Sequence, residues 1–191
     1  EKGVRVAEVH DQGFMEGLGL SPSACDRNAL FAVAAARQAL SAAGLGAGLP
    51  HPERVGVILG NSAGGQCSTD DQYSRLYTQN KRPHPMTVAK VMVSSSASWV
   101  SIATGATGPC FVTSSACASS SHAIGIAMQF LRAGLAVIVI AGGTEAPLSA
   151  GTLLAWDAMR IMSRTACRPF AAGRDGLMLA EGAGVIVLET E

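Results

Sequence analysis

Apolar and polar positions change period repeatedly along the chain, and the changes predict strands and helices in alternation. Asp26 stands where an N-cap belongs, ahead of an alanine-rich stretch that predicts a helix to about residue 43, stopped by Gly44. Residues 55–60 are a short, wholly apolar run of strand type, bounded by Pro52 and by a small-residue turn at 61–65. Residues 66–85 are the most polar part of the chain and predict loop with a short helix. They end at Pro83 and Pro85, which exclude a helix interior. A second helix is predicted from residue 88 to about 103, and residues 111–114 read as a strand. After Cys117 the period becomes helical: Ile124, Ala127, Met128 and Leu131 share one face, and Gly134 closes the helix. Residues 135–141 and 182–188 are apolar runs of strand length, the first of them continuous, as for a strand covered on both faces. Strands and helices in this order predict an α/β domain with a mainly parallel sheet.

Composition narrows the picture. The chain has 191 residues, 48% hydrophobic and 15% charged, which suits one folded domain and disfavours disorder. Twenty-two glycines and thirty-two alanines favour helices packed closely on a sheet. Fourteen basic and fourteen acidic side chains cancel, so bulk charge gives no support for nucleic-acid binding. No stretch approaches the roughly 18 apolar residues of a membrane span, and no signal-peptide pattern opens the chain. A cytoplasmic protein is expected, without nucleic-acid or membrane partners. The five cysteines are odd in number and include no CxxC pair, so neither a disulfide framework nor a metal site is indicated. The turn at 61–65 lacks the lysine and hydroxyl residue of a phosphate loop. The chain opens at Glu1 without a methionine and stops behind an apolar run, which reads as a piece of something longer.

Chemistry concentrates at Cys117, where a predicted strand hands over to a predicted helix. A sharp strand-to-helix turn projects its side chain out of the sheet edge. Free N–H groups and the dipole at a helix start favour an anionic sulfur, and the same N–H groups can hold an oxyanion on an attacked carbonyl. Ala116, Ala118, Ser119 and Ser120 are small enough to let a substrate approach. A buried cysteine that merely packs is the competing reading, and position alone leaves the two even.

The segment Gly108-Pro-Cys-Phe-Val-Thr-Ser-Ser-Ala-Cys-Ala-Ser-Ser-Ser-His-Ala-Ile-Gly125 resembles the active-site segment of β-ketoacyl-acyl-carrier-protein synthases, in the ketosynthase I/II branch that includes polyketide ketosynthases. Ala141-Gly-Gly-Thr-Glu145, Cys167-Arg-Pro-Phe170, Arg174-Asp-Gly176 and Glu181-Gly-Ala-Gly184 resemble further motifs of that branch in order and spacing, as do Asp26-Arg27 and Gly44-Leu45. Thiolases and ketosynthase III-type enzymes share the elbow cysteine but not the closing signature. The loop between Ser163 and Cys167 is shorter than in most relatives, which leaves the shape of the pocket rim open.

The resemblance implies a thiolase-like fold, layered αβαβα in the complete family, with residues 1–191 as most of its N-terminal half and incomplete at both ends. It implies that Cys117 takes the acyl chain from a phosphopantetheine thioester on acyl carrier protein. Decarboxylative condensation with malonyl-carrier protein would follow, in fatty-acid or polyketide biosynthesis. No cofactor is implied beyond the phosphopantetheine that arrives on the carrier. Ala63 falls where the family lines its acyl pocket, and its small side chain implies room for a long or bulky chain. Lys81 and Arg82 fall where relatives dock the acidic carrier protein. Arg168, Arg174, Asp175 and Glu181 are expected to form a structural charge network, and His122 to be structural, on the same helix as Cys117 and pointing elsewhere. The family's two catalytic histidines belong to the second half, and none of His10, His51, His84 and His122 stands in a matching context. The fragment alone is therefore expected to be inactive, and the complete protein to be a homodimer or a ketosynthase heterodimer. The alternatives are a thiolase-fold acyltransferase that does not decarboxylate and a chain-length-factor-like partner subunit, although such partners usually lack the nucleophile.

Overall fold

The computed structural model describes residues 4–10 and 13–190. Its central sheet has four strands: β2 (Val55–Gly60), β3 (Cys110–Thr113), β4 (Ile138–Glu145) and β6 (Gly182–Glu189), in the order β3-β2-β4-β6. β2 runs parallel to β3 and to β4, while β6 is antiparallel to β4. The predicted mainly parallel sheet is thus present, with one antiparallel edge. A short parallel ladder pairs β1 (Val6–Ala7) with β5 (Leu179–Ala180).

Helices cover both faces, which explains why the strands read as continuous apolar runs rather than alternating ones. On one face Val57, Leu59, Ile138 and Ile140 pack with residues of α1 (Arg27–Ala42) and α4 (Ser95–Thr104), among them Ala29, Val33, Ala36 and Val100. On the other, Ile58, Val139 and Ala141 pack on Ala123 and Ala127 of α5 (Ser119–Arg132). Successive strand residues point to opposite faces, so each strand feeds both cores. Each fully buried Val or Ile contributes roughly 1.5–3 kcal/mol.

The start of α1 is fixed by its cap. The Asn28 N–H donates to Asp26 Oδ1 at 3.1 Å, while Asp26 Oδ2 accepts the Ser68 N–H, also at 3.1 Å. One carboxylate therefore caps α1 and holds α2 (Gln66–Gln79) beside it. Nearby, Arg27 grips Glu181 with two hydrogen bonds, Nη2 to Oε1 at 2.6 Å and Nε to Oε2 at 2.9 Å. The same pair holds both backbone groups of Val9, and the guanidinium lies 4.9 Å from the Phe31 ring centroid. Hydrogen bonding to Glu181 raises the Arg27 pKa.

Four elements differ from the sequence expectation. Residues 66–79 form one continuous helix rather than a loop with a short helix, because α2 buries only the polar Ser68 and Gln72 and so carries no apolar stripe. The helix expected over 88–103 is two, α3 (Thr87–Val91) and α4, separated where Met92 turns extended at φ −60°, ψ 135°. The strand expected over 135–141 is displaced along the chain to 138–145, since glycines 142 and 143 continue the ladder beyond the apolar run. A further helix, α6 (Ala150–Ala158), has no apolar periodicity to announce it and no buried residue. The charge network expected of Arg168, Arg174, Asp175 and Glu181 does not form as one: Glu181 binds Arg27, Arg168 lies 3.9 Å from Asp175, and Arg174 Nη1 donates to Ala171 O at 3.0 Å.

Candidate active site

The loops that follow β2, β3 and β4 converge at the carboxyl ends of these strands, where open α/β sheets place their ligands. Cys117 sits in the loop after β3, two residues before α5 begins, and its side chain is exposed. Ala116 is in the left-handed region at φ 50°, which costs an L-residue with a Cβ about 1–3 kcal/mol unless the surroundings enforce it. Ser119 does so. Its buried hydroxyl donates to Ala116 O at 2.6 Å and accepts the Ser115 N–H at 2.9 Å, while its carbonyl accepts from Thr113 Oγ1 at 2.8 Å. The sharp turn is therefore stapled from inside.

Cys117 precedes the helix that carries His122 instead of sharing it as expected, while His122 does point away from the cavity that Cys117 faces. His122 lies in the first turn of α5 and its Nδ1 is 2.7 Å from Ser115 Oγ, on the other limb of the elbow. It braces the turn and does not line the cavity that Cys117 faces. The Cys117 N–H makes no hydrogen bond among the described residues. The next two N–H groups, of Ala118 and Ser119, donate to Ser115 O at 3.2 Å and to Ala116 O at 3.1 Å, so the Cys117 N–H is the donor that this turn leaves unengaged beside the sulfur.

The elbow comes close to the sheet because two glycines let it. A Cβ on Gly60 would stand 2.3 Å from the Ser119 carbonyl carbon and from the Ser120 nitrogen, and one on Gly143 would stand 2.4 Å from Ser120 Oγ. No side chain larger than hydrogen fits under the start of α5.

Cys117 opens into a cavity of about 510 Å³. Ser62 and Ala63 form part of its wall from the loop after β2, Glu145 and Pro147 from the end of β4, Thr152 and Trp156 from α6, and Leu177 and Leu179 from the chain around β5. The loop bearing Ala63 is tied down at both sides. Asn61 Nδ2 donates to Thr144 O at 2.9 Å, Asn61 Oδ1 accepts the Gly64 N–H at 2.6 Å, and Asn28 Nδ2 donates to Gly64 O at 2.6 Å. Glu145 Oε2 accepts from the Ser62 N–H at 2.8 Å and the Ser62 hydroxyl at 2.5 Å, and Oε1 accepts the Ala63 N–H at 3.4 Å.

The sequence brings this arrangement into register with known proteins: residues 8–191 match the family described as Beta-ketoacyl synthase, N-terminal domain. The chain belongs to the beta-ketoacyl synthase family. It is 41% identical over 165 residues to Nodulation protein E of Rhizobium meliloti, covering 86% of this chain and 41% of that protein. With 3-oxoacyl-[acyl-carrier-protein] synthase 2 of Staphylococcus aureus it shares 36% identity over 171 residues, covering 86% of this chain and 42% of the relative. The chain spans about two-fifths of the length of these curated relatives. A crystal structure of a beta-ketoacyl synthase from Burkholderia phymatum STM815 superposes with a TM-score of 0.85 at 29% identity, covering 97% of this chain and 48% of that one. The fold is accordingly the thiolase-like one.

In this beta-ketoacyl synthase chain the sequence-derived residues separate into two places. Cys117 and Ala63 line the same cavity. Lys81 and Arg82 lie exposed on the segment that follows α2 and do not line it. Thr152 and Trp156 of the cavity wall carry no sequence signal, while Glu145 closes the Ala141–Glu145 motif without a role being legible from it. The other thiols differ from Cys117 in setting. Burial pushes the Cys25 thiol up to about 11, and burial with nearby Asp26 and Glu181 does the same for Cys67, whose Sγ lies 3.2 Å from Ala146 O. Desolvation also raises Cys110. Among the described residues no helix is long and apolar enough to cross a membrane.

Proposed function

We propose that the protein bearing this chain is a condensing enzyme of fatty-acid or polyketide biosynthesis in which Cys117 is the acylated nucleophile. The observation that carries this reading is an exposed thiol on a strained, internally stapled elbow, facing a largely apolar cavity with its own N–H unengaged. The Cys117 thiolate attacks the carbonyl of an acyl thioester borne by acyl carrier protein, and the Cys117 N–H donates to the developing oxyanion. Collapse of that adduct breaks the bond to the phosphopantetheine sulfur, which takes up a proton and departs on the carrier. The acyl-enzyme is then attacked by the carbanion released as malonyl-carrier protein loses carbon dioxide, and Cys117 leaves as the new carbon–carbon bond forms. Groups that stabilise that carbanion are assigned to the remainder of the full-length enzyme. Ala63 leaves volume in the acyl cavity, and Lys81 and Arg82 offer positive charge to an acidic carrier. Cytoplasmic location and a homodimer, or a ketosynthase heterodimer, complete the reading.

Intact-mass spectrometry of the full-length protein with acyl-carrier protein tests it. One acyl adduct is expected, located at Cys117 and lost in Cys117→Ala. Lys81→Glu/Arg82→Glu is expected to weaken delivery from the carrier while leaving acylation by a small acyl thioester intact. Acylation that survives Cys117→Ala would refute the nucleophile, and unchanged carrier affinity in the charge-reversed variant would refute the docking site.

A further inference from the structure

We infer that Glu145 is a positioning residue that fixes one wall of the acyl cavity and thereby sets acyl-chain selectivity, an assignment that rests on the condensing-enzyme reading above. Three donors converge on its carboxylate from two consecutive residues: the Ser62 N–H, the Ser62 hydroxyl and the Ala63 N–H. The residues belong to different strands' loops, after β2 and at the end of β4, so nothing in local sequence requires them to meet. Hydrogen bonds to an ionised acceptor are the strong kind, and their directionality orders what they hold.

The held segment carries a lining residue and not the nucleophile. Ser62, Ala63 and Glu145 face the same cavity as Cys117, whereas the elbow is stapled separately through Ser119 and braced by His122. Loss of the Glu145 contacts releases the Ser62–Ala63 wall while leaving the sulfur in place. Asn61 and Asn28 still anchor the loop at Gly64 and at its root, so the release is confined to the wall. A long acyl chain buries more of its surface against the cavity wall than a short one does, so its binding depends more on that wall being fixed.

The two carboxylate oxygens are not equivalent, and this provides a conservative variant. Both Ser62 donors go to Oε2, while Oε1 takes only the longer contact from Ala63. A glutamine whose carbonyl oxygen occupies the Oε2 position keeps two of the three bonds.

The test measures acylation of Cys117 in the full-length protein by octanoyl- and palmitoyl-pantetheine, resolved into kcat and KM, for wild type, Glu145→Ala, Glu145→Gln and Ser62→Ala. Glu145→Ala is expected to lower the palmitoyl-to-octanoyl ratio of kcat/KM about tenfold, through KM for the palmitoyl thioester. Glu145→Gln is expected to restore most of the loss. Alkylation of Cys117 by iodoacetamide, which does not occupy the acyl cavity, is expected to proceed at the wild-type rate in all variants. An unchanged palmitoyl-to-octanoyl ratio in Glu145→Ala overturns the assignment, as does a parallel loss of alkylation, which would make Glu145 part of the elbow's support. If Glu145→Ala does not fold, Ser62→Ala, which removes the hydroxyl donor to Oε2, carries the comparison: a lowered palmitoyl-to-octanoyl ratio is expected, and a wild-type ratio overturns the assignment. Absence of any acyl adduct on wild-type Cys117 overturns the condensing-enzyme reading and this assignment together, a result distinct from acylation without a change in ratio.

Discussion

Replacing Gly60 by alanine tests whether the close seating of α5 on β2 is what places Cys117. The added Cβ would meet the Ser119 carbonyl carbon and Ser120 nitrogen at 2.3 Å and the Ser119 oxygen at 2.6 Å, against an ordinary contact that starts at 3.4 Å. These are backbone atoms, so no rotamer change relieves the overlap, and the first turn of α5 must retreat by about 1 Å. Overpacking of this kind costs about 1–3 kcal/mol of stability. The retreat carries Cys117 with it, because Ser119 ties that turn to Ala116 and Ser115. A displacement of about 1 Å at a reacting centre lowers rate by about a hundredfold. The assay pairs urea unfolding with the rate of Cys117 acylation in the full-length protein. Gly173→Ala, where an added methyl meets nothing within 4 Å, is the matched control and is expected to behave as wild type. A Gly60→Ala protein with wild-type stability and wild-type acylation rate would refute the argument that this approach positions the elbow.

Two further outcomes are expected. Glu181→Ala leaves the Arg27 guanidinium and the Val9 N–H without their acceptor, and is expected to destabilise the protein by about 3 kcal/mol in urea unfolding; a loss below about 1 kcal/mol would show the pair to be dispensable. For the buried thiols, Cys25 and Cys67 titrate at about 11 in the folded protein against an ordinary 9.0. The unfolded chain then loses these protons first, so stability is expected to fall as pH rises from about 9 towards 11. Unfolding midpoints under reducing conditions should show that fall, and Cys25→Ala/Cys67→Ala should flatten it.

The parts of the fold legible in the sequence are those whose physics is local or periodic. The α1 helix announces itself through the Asp26 cap, the alanine-rich face and Gly44, which takes the left-handed conformation at φ 76°. The turn at Cys117 is equally visible, since that residue falls between an apolar strand and a 3.6-period helix. What escaped notice depends on partners distant in sequence. α2 docks through Ser68 and Gln72 to Asp26 and to the His84 backbone, so hydropathy sees only a polar stretch. α6 is held at its start by the Gly151 N–H donating to Asp70 at 2.8 Å, a contact spanning 81 positions. The cavity wall shares this character: Glu145 meets Ser62 and Ala63 only because β2 and β4 are neighbours in the sheet, an adjacency that the strand order creates.

Hydrogen bonds have direction where apolar contacts do not, and α2 is attached mainly by the former. An apolar stripe tolerates a small slide along its groove; a row of matched donors and acceptors does not. Moving α2 by one turn would unpair Ser68 from Asp26 and Gln72 from the His84 backbone at the same moment. The helix thus has one register or none, and the rim of the cavity, which the Asn61–Gly65 turn hands directly to α2, inherits that all-or-none placement.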